Sequence, residues 1–407
     1  MKIFLSILKS LGKGFLLLII LILLIATIHH ISSPVYKFHE GNAFSGNKIY
    51  NPYSRMDNKQ WKKANFQVQS YAWKGITSGR GNTNEKIFSV YKSLGYDIIA
   101  TSDYQKINRF KEDEPSYIPV YEHGYGIKKN HQVLIGSKKV LWTDFPFFQT
   151  LSNKQHILNL LRDANELVII AHPKLRHGYS PNDMKYLSNY DGIEVLNNYR
   201  FSLEHWDAAL SSGNYTTIIG DDDAHDISNP DEIGHNCTFI NSATTNKNDI
   251  LNALKKGNSF GAWIYRPDGE SFEEKIKKSK NLPAITNIEL RGNDTIFVSA
   301  DRPAKEFRFI GQNGIQLKKI NETDSAFYVF KTSDTYVRTE IEFKDRTTYY
   351  LNAFCRMEGK RPNKNGSPEI DTYKTWLLRI LGFSSLIFIA INFFYFVWKP
   401  RRKRGNN

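Results

Sequence analysis

The sequence predicts an α/β protein in which parallel strands covered by helices are followed by a small antiparallel β-domain. Both parts lie between two membrane-spanning helices. Three observations carry that reading. Helical and strand patterns alternate from about residue 66 to 257, which implies parallel strands with helices on their faces. After Pro283 apolar and polar residues alternate with a period of two, as in antiparallel strands. Near each end an uncharged apolar run borders a basic cluster, as membrane spans do at their cytoplasmic ends.

Residues 1–13 carry Lys2, Lys9 and Lys13 and no acid, and read as a cytoplasmic N-terminus. Residues 14–31 are uncharged and dominated by Leu and Ile, close to the ~20 residues that cross a bilayer. The run is long for the core of a cleaved leader, and no small-x-small site follows it cleanly. It therefore reads as an uncleaved anchor. Residues 376–398 form the second span, with Trp376 and Trp398 where interface aromatics belong. Residues 399–407 add Lys399, Arg401, Arg402, Lys403 and Arg404. The basic clusters flank the outer ends of both spans, so the positive-inside rule puts both termini in the cytoplasm. The expected setting is a bacterial inner membrane with the main domain in the periplasm.

That placement also accounts for the charge. The 407-residue chain has a net charge of +14, and the eight tail residues just named supply more than half of it. The rest is spread over the whole soluble part, so no nucleic-acid partner is expected. Two cysteines exclude a disulfide scaffold and a Cys-based zinc cluster. Cys237 and Cys355 fall in different predicted domains and read as two buried thiols.

Residues 32–60 are polar and hold Pro34, Gly41, Gly46 and Pro52, and read as a linker or strap. The helix–strand domain is expected over 61–283. Asn84 to Leu94 has helical spacing and stops at Gly95, and a short buried strand follows at Asp97 to Ala100. Asn153 to Ala164 is helical and Leu167 to Ala171 a strand; Gly192 to Leu196 is a strand and Leu203 to Leu210 a helix. Thr216 to Ile219 is a strand and Asn248 to Lys256 a helix ending at Gly257. The β-domain is expected over 284–356, with Val337, Thr339, Ile341 and Phe343 alternating with charged residues. Residues 357–375 form a polar linker to the second span.

In parallel α/β folds, sites lie beyond the carboxyl ends of the strands. Here those ends carry Gln67-Val68-Gln69, Ser102-Asp103-Tyr104, Ala171-His172-Pro173, Glu194 and Asp222-Asp223-Ala224-His225. An extended Asp223-x-His225 aims a carboxylate and an imidazole to one side. With Glu122-His123-Gly124 and Ala253 to Gly257, this ordered series resembles the PHP family, the polymerase-and-histidinol-phosphatase type of metal-dependent phosphoesterase. The resemblance covers about residues 61 to 350. It extends to Trp206-Asp207 and, in the trailing β-domain, to Tyr336-Val337-Arg338. It implies a distorted (β/α)7 barrel and phosphoester hydrolysis by a two- or three-metal centre. It also implies Asp103, Glu122, His131, His172, Asp223 and His225 as metal ligands, with Asp103, His172, Asp223 and His225 in the chemistry.

The chain departs from that pattern at the ligands. Gln67 and Gln69 stand where the family has the two histidines of its first motif, Lys74 where it has an aspartate, and Tyr104 where it has a further histidine. An amide oxygen is a poor zinc ligand beside imidazole, and a lysine adds positive charge where a cation would sit. One divalent ion, zinc or manganese, is therefore expected rather than two or three. Gln67, Gln69, Lys74 and Tyr104 are expected to line the pocket. Two readings follow. The first is a membrane-anchored phosphoesterase with a reduced metal site, acting on a small or lipid-linked phosphoester. The second is a catalytically inactive PHP-fold binding or scaffold module in an envelope complex, with the bilayer and an envelope protein as its partners.

Overall fold

The computed structural model of the chain describes residues 2–77, 79 and 81–398, and the basic tail read at 399–407 lies outside them. The chain divides into two compact units, Met1–Phe38 with Pro368–Asn407, and His39–Ser367.

The first unit is built from both ends of the chain. Helices Lys2–Ser32 and Thr372–Trp398 contain apolar stretches long enough to cross a membrane, Leu11–Ser32 and Thr372–Asn392. Between them Tyr36–Lys37 pairs antiparallel with Glu369–Ile370. The helices meet where they leave this ribbon. A Cβ at Gly382 would lie 2.7 Å from Ile31 Cδ1, so the missing side chain is what admits the close approach. Arg379 Nη2 donates to Ser32 O at 2.7 Å, which places a cation on the last carbonyls of the first helix.

The second unit is mixed α/β. A five-stranded sheet takes its strands in chain order: Val120–His123, Gln132–Ile135, Leu167–Ile170, Gly192–Leu196 and Thr217–Gly220. The last three are parallel neighbours, as the alternation implies. The first two departures are antiparallel pairings of Val120–His123 with Gln132–Ile135 and of that strand with Leu167–Ile170. The reason for the hairpin is its loop, since residues 124–131 are too few for a crossover helix.

An eleven-stranded sheet joins the strands after residue 284 to earlier ones. Thr348–Leu351 pairs antiparallel with Ser259–Trp263, that strand with Asn236–Asn241, and that one with Trp61–Asn65. Trp61–Asn65 then pairs in parallel with Ile98–Ile99. Neither sheet closes on itself, so a closed seven-stranded barrel is not present in the ladders. Two isolated parallel bridges, Tyr104 with Glu122 and Val68 with Ala224, connect strand ends instead. Ile98–Ile99 is only two residues long, which leaves no room for a longer ladder on its free side.

A core of Ala64, Phe66, Ile98, Val133, Ile169, Ile219, Ile240 and Leu254 lies under the strands that lead to the site. Helix Lys247–Lys256 ends in Gly257, at φ +71°. A Cβ there would lie 2.6 Å from Tyr215 Oη. Cys237 and Cys355 are buried free thiols.

Two buried polar clusters brace this frame. Arg338 forks onto Asp207 with Nε to Oδ1 at 2.7 Å and Nη2 to Oδ2 at 2.8 Å, and also donates to Glu340 at 2.5 Å. Tyr336 Oη adds a bond to Asp207 Oδ1 at 3.0 Å. The pair ties helix Leu203–Ser211 to strand Tyr336–Phe343. In the second cluster, Asp222 accepts from the backbone N–H of Gly234, His235 and Asn236 and from Tyr91 Oη. His235 Nε2 faces Lys275 Nζ at 2.8 Å and Arg266 Nη1 at 3.2 Å. These two cations only donate and so favour the neutral ring with Nε2 as acceptor, while the Pro230 carbonyl oxygen also lies 3.3 Å from that nitrogen. Burial, then the charges of Lys275 and Arg266, push the His235 pKa down to about 3.

Two outcomes follow from these clusters. Asp207→Ala should leave Arg338 buried with half its partners and lower the unfolding free energy by about 3–5 kcal/mol, read as a fall in the urea midpoint. His235 titrates near 6.5 when unfolded and about 3 when folded, so the unfolded chain binds the extra proton between those values. Stability is then full above pH 6.5 and falls as the pH drops towards 3, with a slope approaching ~1.4 kcal/mol per pH unit. His235→Gln should remove that contribution to the slope in urea unfolding measured at pH 4 to 7.

Candidate metal centre

The site begins with the hairpin. Strand Val120–His123 presents Glu122, and His131 sits just before Gln132–Ile135. Gly124, at φ +123°, lies against the His131 ring, where a Cβ would come within 2.6 Å of Cδ2. Only glycine leaves room for that imidazole. Ala171 N donates to His131 O at 3.1 Å, which ties the hairpin to the end of Leu167–Ile170. The next residue is His172. Its φ of +28° is strained for a side-chain-bearing residue.

Among the described residues, one group of His, Cys, Asp and Glu has its donor atoms all within 4.8 Å of one another: Glu122, His131 and His172. His131 Nδ1 donates to Glu122 Oε1 at 2.5 Å, and His172 Nε2 lies 3.3 Å from the same oxygen. The other carboxylate oxygen accepts from Gln69 Nε2 at 2.8 Å. Gln69 also donates to Ser102 O at 2.9 Å. The Tyr104 ring meets His131 edge-on at 5.5 Å.

A second row of acids stands behind the triad. Asp223, at φ +51°, has Oδ1 3.5 Å from His225 Nε2. Asn197 Nδ2 bridges Asp223 Oδ2 at 3.2 Å and Glu194 Oε1 at 2.8 Å. Glu194 Oε2 accepts the backbone N–H of His172 at 2.7 Å. Asp103 lies outside the triad. Its Oδ1 accepts from Ser70 N and its Oδ2 from Ser70 Oγ, both at 2.7 Å. Gln67 is fully buried and neither amide atom has a partner. Lys74 sits at φ +54° in a short turn and is exposed. Sequence reasoning quoted Glu194 but left it out of the site, and missed Asn197. An Asn one residue past a strand is the signal that could have found the latter.

Burial dominates the electrostatics. It would raise the Glu122 carboxyl, but the charges and hydrogen bonds of His131 and His172 hold it well below the usual carboxylate range. Burial lowers His131 despite Glu122. Burial also works against a proton on His172, yet the Glu122 hydrogen bond and the Asp223 charge raise it. Asp223 is pushed up to about 6 by burial and by Glu122. Glu194 and Asp221 are pushed well above the carboxylate range, first by burial and then by neighbouring acids.

The residues fit a divalent ion. Glu122 is biased toward its ionised form and His131 toward its neutral one, the forms a metal requires, while His172 is biased toward a proton that an ion would displace. Two imidazoles and a carboxylate are a zinc-type donor set. His172 Nδ1, Asp223 Oδ1 and His225 Nδ1 are buried without hydrogen-bond partners, an arrangement that is costly in the protein alone.

No family model matches the chain, and no curated protein matches it. Among solved structures, a two-domain protein from Bacteroides vulgatus ATCC 8482 containing a predicted PHP-like metal-dependent phosphoesterase aligns with 77% of this chain and 99% of its own, at 14% identity and a TM-score of 0.37. A likeness of that size sets neither the family nor the fold.

Proposed function

We propose that the chain is a divergent, membrane-anchored phosphoester hydrolase of PHP type that works with one divalent ion, zinc or manganese, on the far side of a bacterial inner membrane. The observation that carries this reading is the Glu122–His131–His172 triad, buried and surrounded by unpartnered donor atoms. Seven strands from Trp61–Asn65 to Thr217–Gly220, linked at their ends by the two isolated bridges, support a distorted barrel with the triad at its carboxyl end.

In this reading Glu122, His131 and His172 would hold the ion, and Asp223, whose charge bears on His172, would be the further acid at the site. A bound ion of this kind supplies an activated water and takes up charge on the phosphoryl oxygens. His225, 24% exposed, stands between the buried acids and the surface and moves the proton to the departing oxygen. Glu194 and Asn197 orient His172 and Asp223. Asp103 fixes the loop at Ser70 and acts on geometry. Gln67 and Gln69 keep the pocket polar and build no second ion site.

One observation favours the alternative, a PHP-like binding or scaffold module in an envelope complex. Gln69 already occupies Glu122 Oε2, a bond that closes the pocket without any ion.

Elemental analysis of protein purified without chelator separates the two. The enzyme reading expects about one zinc or manganese per chain, lost on His131→Ala or His172→Ala and kept on Asp103→Asn. Absence of metal under zinc and manganese loading, with circular dichroism unchanged, leaves the binding module. A separate expectation concerns topology: a reporter fused after Asn407 should be active only in its cytoplasmic form, with activity on the other face overturning the arrangement.

A further inference from the structure

One member of the triad, His131, lines a cleft of about 440 Å³ that the chemistry proposed above does not use. Trp73, Ile76, Tyr125 and Trp142 form the walls with the Tyr104 ring, and all four are exposed, Ile76 at 85% and Trp142 at 59%. The three aromatic side chains are held in place. Trp73 Nε1 donates to Tyr104 O at 2.7 Å, and its ring meets Trp142 edge-on at 6.0 Å. Tyr125 Oη donates towards Trp142 O and Asp144 O. A water-facing apolar surface braced in this way costs free energy unless a ligand covers it.

Two polar groups interrupt the apolar lining. Lys129 lies at the edge with Nζ 5.3 Å from the centre of the Tyr104 ring. Gln105 is 7% exposed at φ +51°, and neither atom of its amide has a partner.

We infer that this cleft binds the alcohol part of a phosphoester whose organic group is apolar, an aryl or alkyl chain, while the phosphate sits at the triad; this rests on the hydrolase reading above. The Lys129 ammonium matches the phosphate charge, and the Gln105 amide is on hand for the ester oxygen. A sugar or nucleoside would lose water from several hydroxyl or ring groups and find few partners in this lining. An apolar group needs none and gains by leaving water.

The test is calorimetric binding to zinc-loaded full-length protein in nanodiscs. The probes are methylphosphonate, phenylphosphonate and dodecylphosphonate, the last below its micelle concentration. The expected result is at least about tenfold tighter binding of a larger probe than of methylphosphonate. Trp142→Ala with Ile76→Ser should erase that difference and leave methylphosphonate unchanged. The double variant also cancels any partition of the dodecyl chain into the disc. A preference for the phenyl probe marks a small aryl ester and one for the dodecyl probe a lipid; either supports the inference. Equal binding of all three overturns it and leaves the hydrolase reading standing. Failure of every probe to bind zinc-loaded protein overturns both.

Discussion

Keeping carboxyl groups out of water is the constraint that organises this molecule. Asp103, Glu122, Glu194, Asp221, Asp222 and Asp223 are all at most 2% exposed, and an ionised acid buried alone is very costly. Each therefore recruits donors from a different strand or loop. Asp222 gathers three successive N–H groups and a tyrosine hydroxyl; Asp221 takes the N–H of Phe66 at 2.6 Å; Asp103 pins Ser70; Glu194 reaches to His172. The positions of the strand ends, and so of the pocket, are set by these demands. Glu122 is met by imidazoles instead, which makes it the point where structural need and chemistry coincide.

Much of this was legible in the sequence. Ala171-His172-Pro173 and Asp223-Ala224-His225 stand at the ends of apolar runs, and strand-end placement follows from the alternation. Glu122 and His131 came from the family resemblance, because the strand that carries Glu122 and the one that begins after His131 are four residues each and too short to give a period. Their antiparallel hairpin was invisible for the same reason. The alternation also misled at helix Lys247–Lys256, whose flanking strands are antiparallel neighbours. A helix between two strands permits a parallel crossover without requiring it. Asp103 is a ligand candidate by residue type alone, and side-chain direction is not legible in a sequence. In the structure both of its oxygens accept from Ser70.

Gln67 and Gln69 stand in unequal surroundings. Gln69 is part of the network, bonded to Glu122 and to Ser102. Gln67 is not, and its amide is buried with no partner. A pocket that had settled into a purely structural role would be expected to satisfy or remove such a group. The same tension recurs at Gln105 in the adjoining cleft. Unpaired amides thus occur both beside Gln69 in the buried interior and in the lining of the cleft.

The backbone at His172 and Asp223 points to a different kind of conclusion. Both residues lie at positive φ, where glycine is at ease and a β-carbon is crowded. Chosen for folding alone, either position would drift to glycine, relaxing strain on the order of 1–3 kcal/mol and removing a buried polar group as well. The chain instead holds an imidazole and a carboxylate at positive φ. Some stability is given up there, at two residues whose charges bear on each other.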